Sequence, residues 1–267
     1  MKIFVCIKQV PGVSEVKIDP ETNTLVREGI PSIINPMDKN GIELALSIKE
    51  KHGAETIAIS MGPPQAEEAL REALAMGMDE AYLLTDRAFA GADTLATSHT
   101  LSLGIKKFIN DFGNIEDYLI ICGTQAIDGD TAQVGPELAE ELDIPQITYV
   151  KDFELKDNKI IVERAFRAEE VVVIKTELPA LISVLKDVNE PRYPHMKGIV
   201  DAYEKEIHFL NHEDINAKKE NLGLVGSQTE VWKIFVPKRK GQHIILEGSH
   251  EETAQQLCEN LKEDKII

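Results

Sequence analysis

A chain of 267 residues with 43% hydrophobic content is long enough to bury a core, either as one large domain or as a domain with an extension. Its 46 acidic residues against 29 basic ones leave a formal charge of −17, which excludes the basic face that a nucleic-acid binder needs. No apolar run approaches the ~18 residues of a membrane span, and MKIFVCIKQVPG, broken by Lys8 and Pro11, does not read as a cleavable signal, so a cytoplasmic chain is expected.

From Lys2 to about Leu142, short apolar runs alternate with helical patterns. IFVCIKQV, TIAISMG, AYLLTD and YLIICG are bounded by Gly, Pro or Asp, as strands buried on both faces should be. Between them, Ile42, Ala45, Leu46 and Lys49, then Ala66, Ala69, Leu70, Ala73 and Leu74, recur at helical spacing. Two further helices are expected around Leu95–Ile109 and Val134–Leu142. The alternation predicts an α/β fold, a parallel sheet with helices on both faces. After Pro145 come ITYVKDFEL, KIIVERAF, EEVVVIKTE and ALISVLKD, and the turn signal Lys156-Asp157-Asn158 predicts an antiparallel hairpin. From Asp187 to about Pro237 periodicity is weak, which reads as an extended arm lying across another chain. A closing amphipathic helix is expected at HEETAQQLCENLKED, with Ala254, Leu257, Cys258 and Leu261 on one face.

Ligands of open parallel sheets sit outside the carboxyl ends of the strands, which directs the search to the loops there. The richest is Gly123 to Val134. Gly129 suits tight backbone geometry, Asp128, Asp130 and Thr131 suit a helix cap, and Thr124, Gln125 and Gln133 are neutral donors. Such a segment is either a capped strand-to-helix turn or a loop that offers a helix N-terminus to a phosphate. At Gly91–Thr97, Asp93 or Thr94 suits an N-cap, and Thr97 adds a hydroxyl one turn on.

The negatives are as informative. The chain has no GxGxxG after its first strand, no GxxxxGK[ST] and no GxSxG. Cys6, Cys122 and Cys258 lie far apart, and the histidines show no zinc spacing, so no metal site is expected and the thiols read as buried apolar groups. No residue stands out as catalytic.

KQVPG, INPMD, SMGPP, ALAMGMDEA, GADTLATS, GTQAIDGDTAQVGPELAEEL, ELPALISV and NEPRY together resemble the beta subunit of electron-transfer flavoproteins, in that family's order over roughly Lys2–Ile199. The resemblance implies a Rossmann-like core of the adenine nucleotide alpha hydrolase type, residues 1–199. A C-terminal arm and helix, residues 200–267, would pack on an obligate alpha subunit. By position it implies that Cys6, Asn35, Asp38 and Met61 line an adenosine pocket, that Asp93, Thr94 and Thr97 hold the diphosphate or ribityl region, and that Gly123, Thr124, Gln125, Ala126, Ile127, Asp128, Gly129, Asp130, Thr131, Ala132, Gln133 and Val134 wrap the nucleotide. AIDGDTAQVGPE, together with DPETNTLVREG and GADTLATS, points to the electron-bifurcating type. In that type the nucleotide is FAD, exchanging hydride with NAD(H) and passing electrons between ferredoxin and an FAD-dependent dehydrogenase. The chain would then be one subunit of an oxidoreductase, inactive alone.

Asn189, Glu190, Pro191, Arg192, Tyr193 and Met196 resemble the loop that docks on that dehydrogenase, with Met196 as the apolar anchor. Ile199–Ile207, with Asp201, Glu204 and Glu206 in place of a lysine-rich run, points to a lactate-type (2-hydroxyacid) partner slightly ahead of an acyl-CoA or enoyl-CoA type. Arg164–Val171 also departs from the family's glycine- and acid-rich turn. The other readings are a beta subunit holding only structural AMP and a stand-alone nucleotide-binding regulatory module.

Overall fold

Strands that are apolar on both faces must be covered on both faces, and the chain achieves this with two helical layers around one central sheet. The computed structural model describes residues 1–12, 31–156, 158–167, 170–232 and 244–266. DPETNTLVREG, the middle residue of the Lys156–Asn158 turn, and residues 168–169 of RAFRAEEV lie outside them.

In chain order the elements are β1 (Lys2–Cys6), β2 (Gln9–Pro11), β3 (Ser32–Ile34), α1 (Pro36–His52), β4 (Glu55–Met61), α2 (Glu67–Met76), β5 (Glu80–Leu84), α3 (Thr94–Asp111), β6 (Tyr118–Gly123), α4 (Val134–Leu142), β7 (Gln146–Lys156), β8 (Lys159–Arg167), β9 (Glu170–Glu177), β10 (Ala180–Val184), α5 (Met196–Glu204), β11 (Ile207–Leu210), α6 (Gly223–Gly226) and α7 (His250–Glu263). The main sheet runs β11-β5-β4-β1-β6-β10-β7-β8-β9. It is parallel from β11 to β7, and β7, β8 and β9 close it as an antiparallel meander. The α/β class, the parallel core and the antiparallel hairpin are as expected.

Alternation along β1 sets the two faces. Ile3, Val5 and Ile7 join a core with Ile42, Ala45 and Ile48 of α1, Leu70 and Ala73 of α2, and Ala202 of α5. Phe4 and Cys6 join the opposite core, with Leu101, Ile105 and Phe108 of α3 and Leu138 of α4. Phe108 stacks on Phe4 at 6.4 Å between ring centroids and meets Tyr82 at 4.2 Å, so the α3 side carries the aromatic content.

Two expectations are corrected. IFVCIKQV is not one strand: β1 ends at Cys6, and Gln9–Pro11 turns away to pair antiparallel with Ser32–Ile34. The stretch after Asp187 is not uniformly an arm either. Met196–Glu204 is a helix tied to α2 through Arg71, whose Nη1 donates to the carbonyls of Ala202 and Lys205 at 2.5 and 2.7 Å. Ile207–Leu210 then adds an edge strand beside β5. Four residues of strand are too short to show a period of two, which is why the sequence hides β11.

Met1–Trp232 forms one compact unit and Lys233–Ile267 a second. Within the second, α7 begins with a full capping box between Ser249 and Glu252. Its Ala254, Leu257 and Cys258 are exposed.

Gly223 seats its segment against Ala88 and Ala90 within the main unit. Its φ is +53°, and a Cβ there would stand 2.2 Å from the Ala88 carbonyl oxygen. Gly223→Ala is expected to lower the stability of the main unit by about 2–4 kcal/mol, from left-handed strain plus overpacking, as a drop in the urea midpoint at unchanged slope.

Candidate functional site at the switch point of the sheet

After β1 the chain builds β4 and β5 on one side, then returns to lay β6 on the other side of β1. Loops leaving two such strands diverge to opposite faces, and a crevice opens between them at the carboxyl ends. Here its walls are the loop after Cys6 and the loop after Gly123.

The floor is a polar knot centred on Asp38. Asn35 precedes α1, with Pro36 at the first helical position, where a missing N–H costs nothing. The Asn35 amide donates to the Asp38 carboxylate and to the Gln125 carbonyl, both at 2.9 Å, and its oxygen accepts the Ile127 N–H at 3.1 Å. Asp38 also accepts the Lys8 N–H at 2.8 Å and the backbone N–H of Gly123. A Cβ on Gly123 would lie 2.3 Å from Asp38 Oδ1 and 2.9 Å from the Asp38 nitrogen, so the close approach of β6 to α1 requires glycine. Burial pushes the Asp38 carboxyl up to about 7, outweighing the donors from Asn35, Lys8 and Gly123 and the charge of Lys8.

The Gly123–Val134 loop differs in detail from the expectation. The residue capping α4 is Gln133, with no side-chain bond to the helix, so Asp128, Asp130 and Thr131 are not its caps. Asp128 pairs instead with the Lys8 ammonium at 2.7 and 2.8 Å, and Asp130 accepts from the Gln125 amide at 2.8 Å. The Thr124 hydroxyl donates to the Val184 carbonyl at 2.8 Å, tying the loop to β10. Left-handed backbone falls on Asp130 and Ala132, at φ 52° and 55°, and not on Gly129, where an added Cβ would meet open space. The consequence for chemistry is an α4 N-terminus whose N–H groups receive no side-chain cap, beneath an exposed loop.

At the start of α3, Asp93 is the N-cap and accepts the Ala96 N–H at 3.0 Å. Its second oxygen takes the N–H groups of Gln228 and Thr229 and the Thr229 hydroxyl, at 2.8, 2.9 and 3.0 Å. Burial raises this carboxyl, but those donors together hold it below its usual value. The Thr94 hydroxyl reaches Gln133 at 3.3 Å and Glu137 at 3.1 Å, so the starts of α3 and α4 adjoin. Thr97 is half-buried on the next turn of α3, its N–H bonded to the Asp93 carbonyl.

Asn35, Asp38, Gly123, Gln125 and Ile127 are therefore joined directly, Asp128 is linked to them through Lys8, and Thr94 and Gln133 form a second contact. Met61, at the end of β4, belongs to neither. Cys6 and Cys122, distant in sequence, are register partners on β1 and β6, and the Cys122 thiol is raised by its hydrogen bond with Cys6 and by burial. Lys8 is the residue the sequence reading missed; its signal was position alone, two residues past the end of β1. Among the described residues, no group of three or more His, Cys, Asp or Glu is arranged to hold a metal, and no helix is long and apolar enough to cross a membrane.

The NEPRY loop is anchored to α1. Asn40 and Asn189 exchange side-chain-to-carbonyl bonds at 2.8 and 2.9 Å, Asn40 also donates to the Lys186 carbonyl at 3.0 Å, and the Arg192 guanidinium spans Glu43 and Glu50, with its Nε 2.8 Å from Glu43. Arg192 and Asn189 thus hold the loop, and Glu190, Tyr193 and Met196 project from it, Tyr193 being 90% and Met196 79% exposed. Pro191 stiffens the loop between the two anchors.

Asp38 yields a pH prediction. A carboxyl raised from 3.8 to about 7 on folding makes the folded state bind the extra proton between those values, so its contribution is complete below about pH 4 and lost as pH rises to about 7. The stability of the wild type minus that of Asp38→Asn should therefore fall by roughly 1.4 kcal/mol per pH unit across the upper part of that window and level off above it. Urea melts of both proteins from pH 5 to 8 test this, and a flat difference would return Asp38 to the ordinary carboxylate range.

The electron transfer flavoprotein domain family matches residues 22–214. The electron transfer flavoprotein subunit beta of Thermoanaerobacterium thermosaccharolyticum is 53% identical over the whole of both chains, and that of Clostridium acetobutylicum is 51% identical, again over both. The caffeyl-CoA reductase-Etf complex subunit CarD of Acetobacterium woodii is also 51% identical over the full length of each. On this match and these identities, the chain belongs to the electron transfer flavoprotein beta-subunit family.

Proposed function

We propose that this chain is the beta subunit of an electron-bifurcating electron-transfer flavoprotein and holds an FAD in the switch-point crevice. The observation that carries the reading is the crevice itself. It has a rigid polar floor at Asn35 and Asp38, a wall at Gly123–Gln133, and an α4 start left without a side-chain cap. That donor set fits a nucleotide: free N–H groups suit phosphate, and the crevice's neutral amides and hydroxyls suit ribose and ring edges. In an acidic chain, binding phosphate with backbone dipoles avoids a basic patch.

When bound, FAD would supply hydride exchange with NAD(H) and one-electron exchange with ferredoxin and a partner dehydrogenase. The chain's residues bind and orient. Thr94, with Gln133, forms the junction where the two helix starts adjoin. Thr97 stands one turn further along α3. Asp93 acts indirectly, since its carboxylate is committed to residues 228–229. Cys6 and Met61 are assigned to the adenosine end on strand position.

Residues 200–267 are assigned to contact with the alpha subunit, centred on the part after Leu222. Val225, Val231, Trp232, Ile244 and Ile245 are each at least 65% exposed, and an isolated chain does not leave that much apolar surface in water without a partner. The Asn189–Met196 loop is assigned to dehydrogenase docking. For that partner, a relative named for caffeyl-CoA reductase and another, 40% identical, named acryloyl-CoA reductase electron transfer subunit gamma favour an acyl-CoA or enoyl-CoA type over a lactate type. The reading with AMP alone uses the same floor and wall and differs only in what reaches past Thr94.

Co-expression with the alpha subunit and nucleotide assay of the purified pair is the deciding measurement. Two FAD per pair are expected; one FAD plus one AMP would select the structural-AMP reading. Thr97→Val combined with Thr131→Val should reduce the flavin retained through gel filtration, and unchanged content would remove both hydroxyls from the site. Met196→Glu should raise the KM for the partner dehydrogenase by about tenfold, the ~1.4 kcal/mol of a buried apolar anchor, with flavin content unchanged.

A further inference from the structure

The loops that form the mouth of the crevice are strapped together by one ion pair. Lys8 lies two residues past β1 and Asp128 five residues past β6, and the Lys8 ammonium meets both Asp128 oxygens, at 2.7 and 2.8 Å. The pair is partly open to solvent, Lys8 at 50% and Asp128 at 25% side-chain exposure. Lys8 is the cation that this strap places at the mouth. Its other charged neighbour is Asp38, which accepts the Lys8 backbone N–H, while the nearby Asp130 is engaged by Gln125. A bidentate carboxylate on an ammonium presents two oxygens and a negative charge, the recognition that one face of a phosphate also presents.

We propose that Asp128 is a built-in stand-in for ligand phosphate: it pairs with Lys8, and a nucleotide phosphate takes Lys8 from it on binding. This rests on the nucleotide reading of the crevice. The exchange is feasible energetically, because a partly solvated ion pair contributes little net stability and a nucleotide phosphate offers the ammonium at least the charge and the paired oxygens of a carboxylate. The contact then has a double role. It keeps the Lys8 ammonium at the mouth, and it holds the two loops at a spacing the ligand inherits. Binding becomes selective for phosphate-bearing nucleotides over nucleosides, with Lys8 the specificity-determining residue and Asp128 its competitor.

The test compares AMP with adenosine on the full-length chain co-purified with its alpha subunit and stripped of nucleotide, by titration calorimetry. Asp128→Asn should bind AMP about two- to fivefold more tightly, the scale of an exposed ion pair removed as a competitor, with adenosine unchanged. Lys8→Met should weaken AMP about tenfold or more and leave adenosine unchanged, as loss of a charge-assisted contact predicts. The double variant separates contact from mere neutralisation: Lys8→Met should still weaken AMP when Asp128 is already Asn. No effect of Lys8→Met in that background, weaker AMP binding by Asp128→Asn, or equal changes for AMP and adenosine would each overturn the proposal. If the wild type binds neither compound, the nucleotide reading itself falls, and the proposal with it. Because Lys8 and Asp128 lie at the surface, unchanged urea midpoints confirm that the variants remain folded.

Discussion

The crevice depends on one buried carboxylate. Asp38 receives the backbone N–H of Lys8 from the loop after β1, the backbone N–H of Gly123 at the end of β6 and the amide of Asn35 just before α1. Three segments remote in sequence thus converge on two oxygen atoms. The approach is so close that Gly123 has no room for a Cβ, and burial raises the carboxyl in spite of its donors. A group with few alternatives to its partners fixes their spacing, and the loops beyond inherit that spacing. Precision at the mouth comes from a knot beneath it, and the mouth itself is free to be polar and exposed.

That division explains what could be read from residues alone. The sheet and its helices were legible because a strand buried on both faces shows as an uninterrupted apolar run, as in TIAIS and YLIIC, and a helix covering it shows a 3.6-residue stripe, as in α2. Both signals are local. β11 was not legible, because four residues carry no period, and its identity as a strand comes from the edge of β5 it lies against. The same holds within the site. INPMD and the Gly123–Val134 loop stand out by composition, but which acid caps a helix and which pairs with a lysine is a matter of three-dimensional distance. Asp128, Asp130 and Thr131 all have N-cap chemistry, and none uses it; Gln133 sits at that position without capping. Gly129 looks like the residue that turns the chain, and the turning is done by Asp130 and Ala132.

Asp93 illustrates the converse. Its N-cap role at α3 was readable from GADT, yet half of its carboxylate serves residues 228 and 229, more than 130 positions away. A cap that is also an anchor couples the start of α3 to the chain that leaves toward the C-terminal unit. The start of α3 at Thr94 therefore lies close to the point at which residues 228 and 229 are fastened.

The distribution of exposed apolar groups completes the argument. Tyr193, Met196, Val200 and Tyr203 lie on the NEPRY loop and α5, while Val225 lies in α6 and Val231 and Trp232 follow it. The two regions are built differently. The first is rigid: Arg192 spans two glutamates of α1, Asn189 locks onto Asn40, and Arg71 grips the end of α5. An apolar group on a pre-formed support would lose little conformational entropy on contact. The second adjoins the segment that Asp93 holds at Gln228 and Thr229. Two apolar surfaces on separate supports are what contact with more than one partner would need.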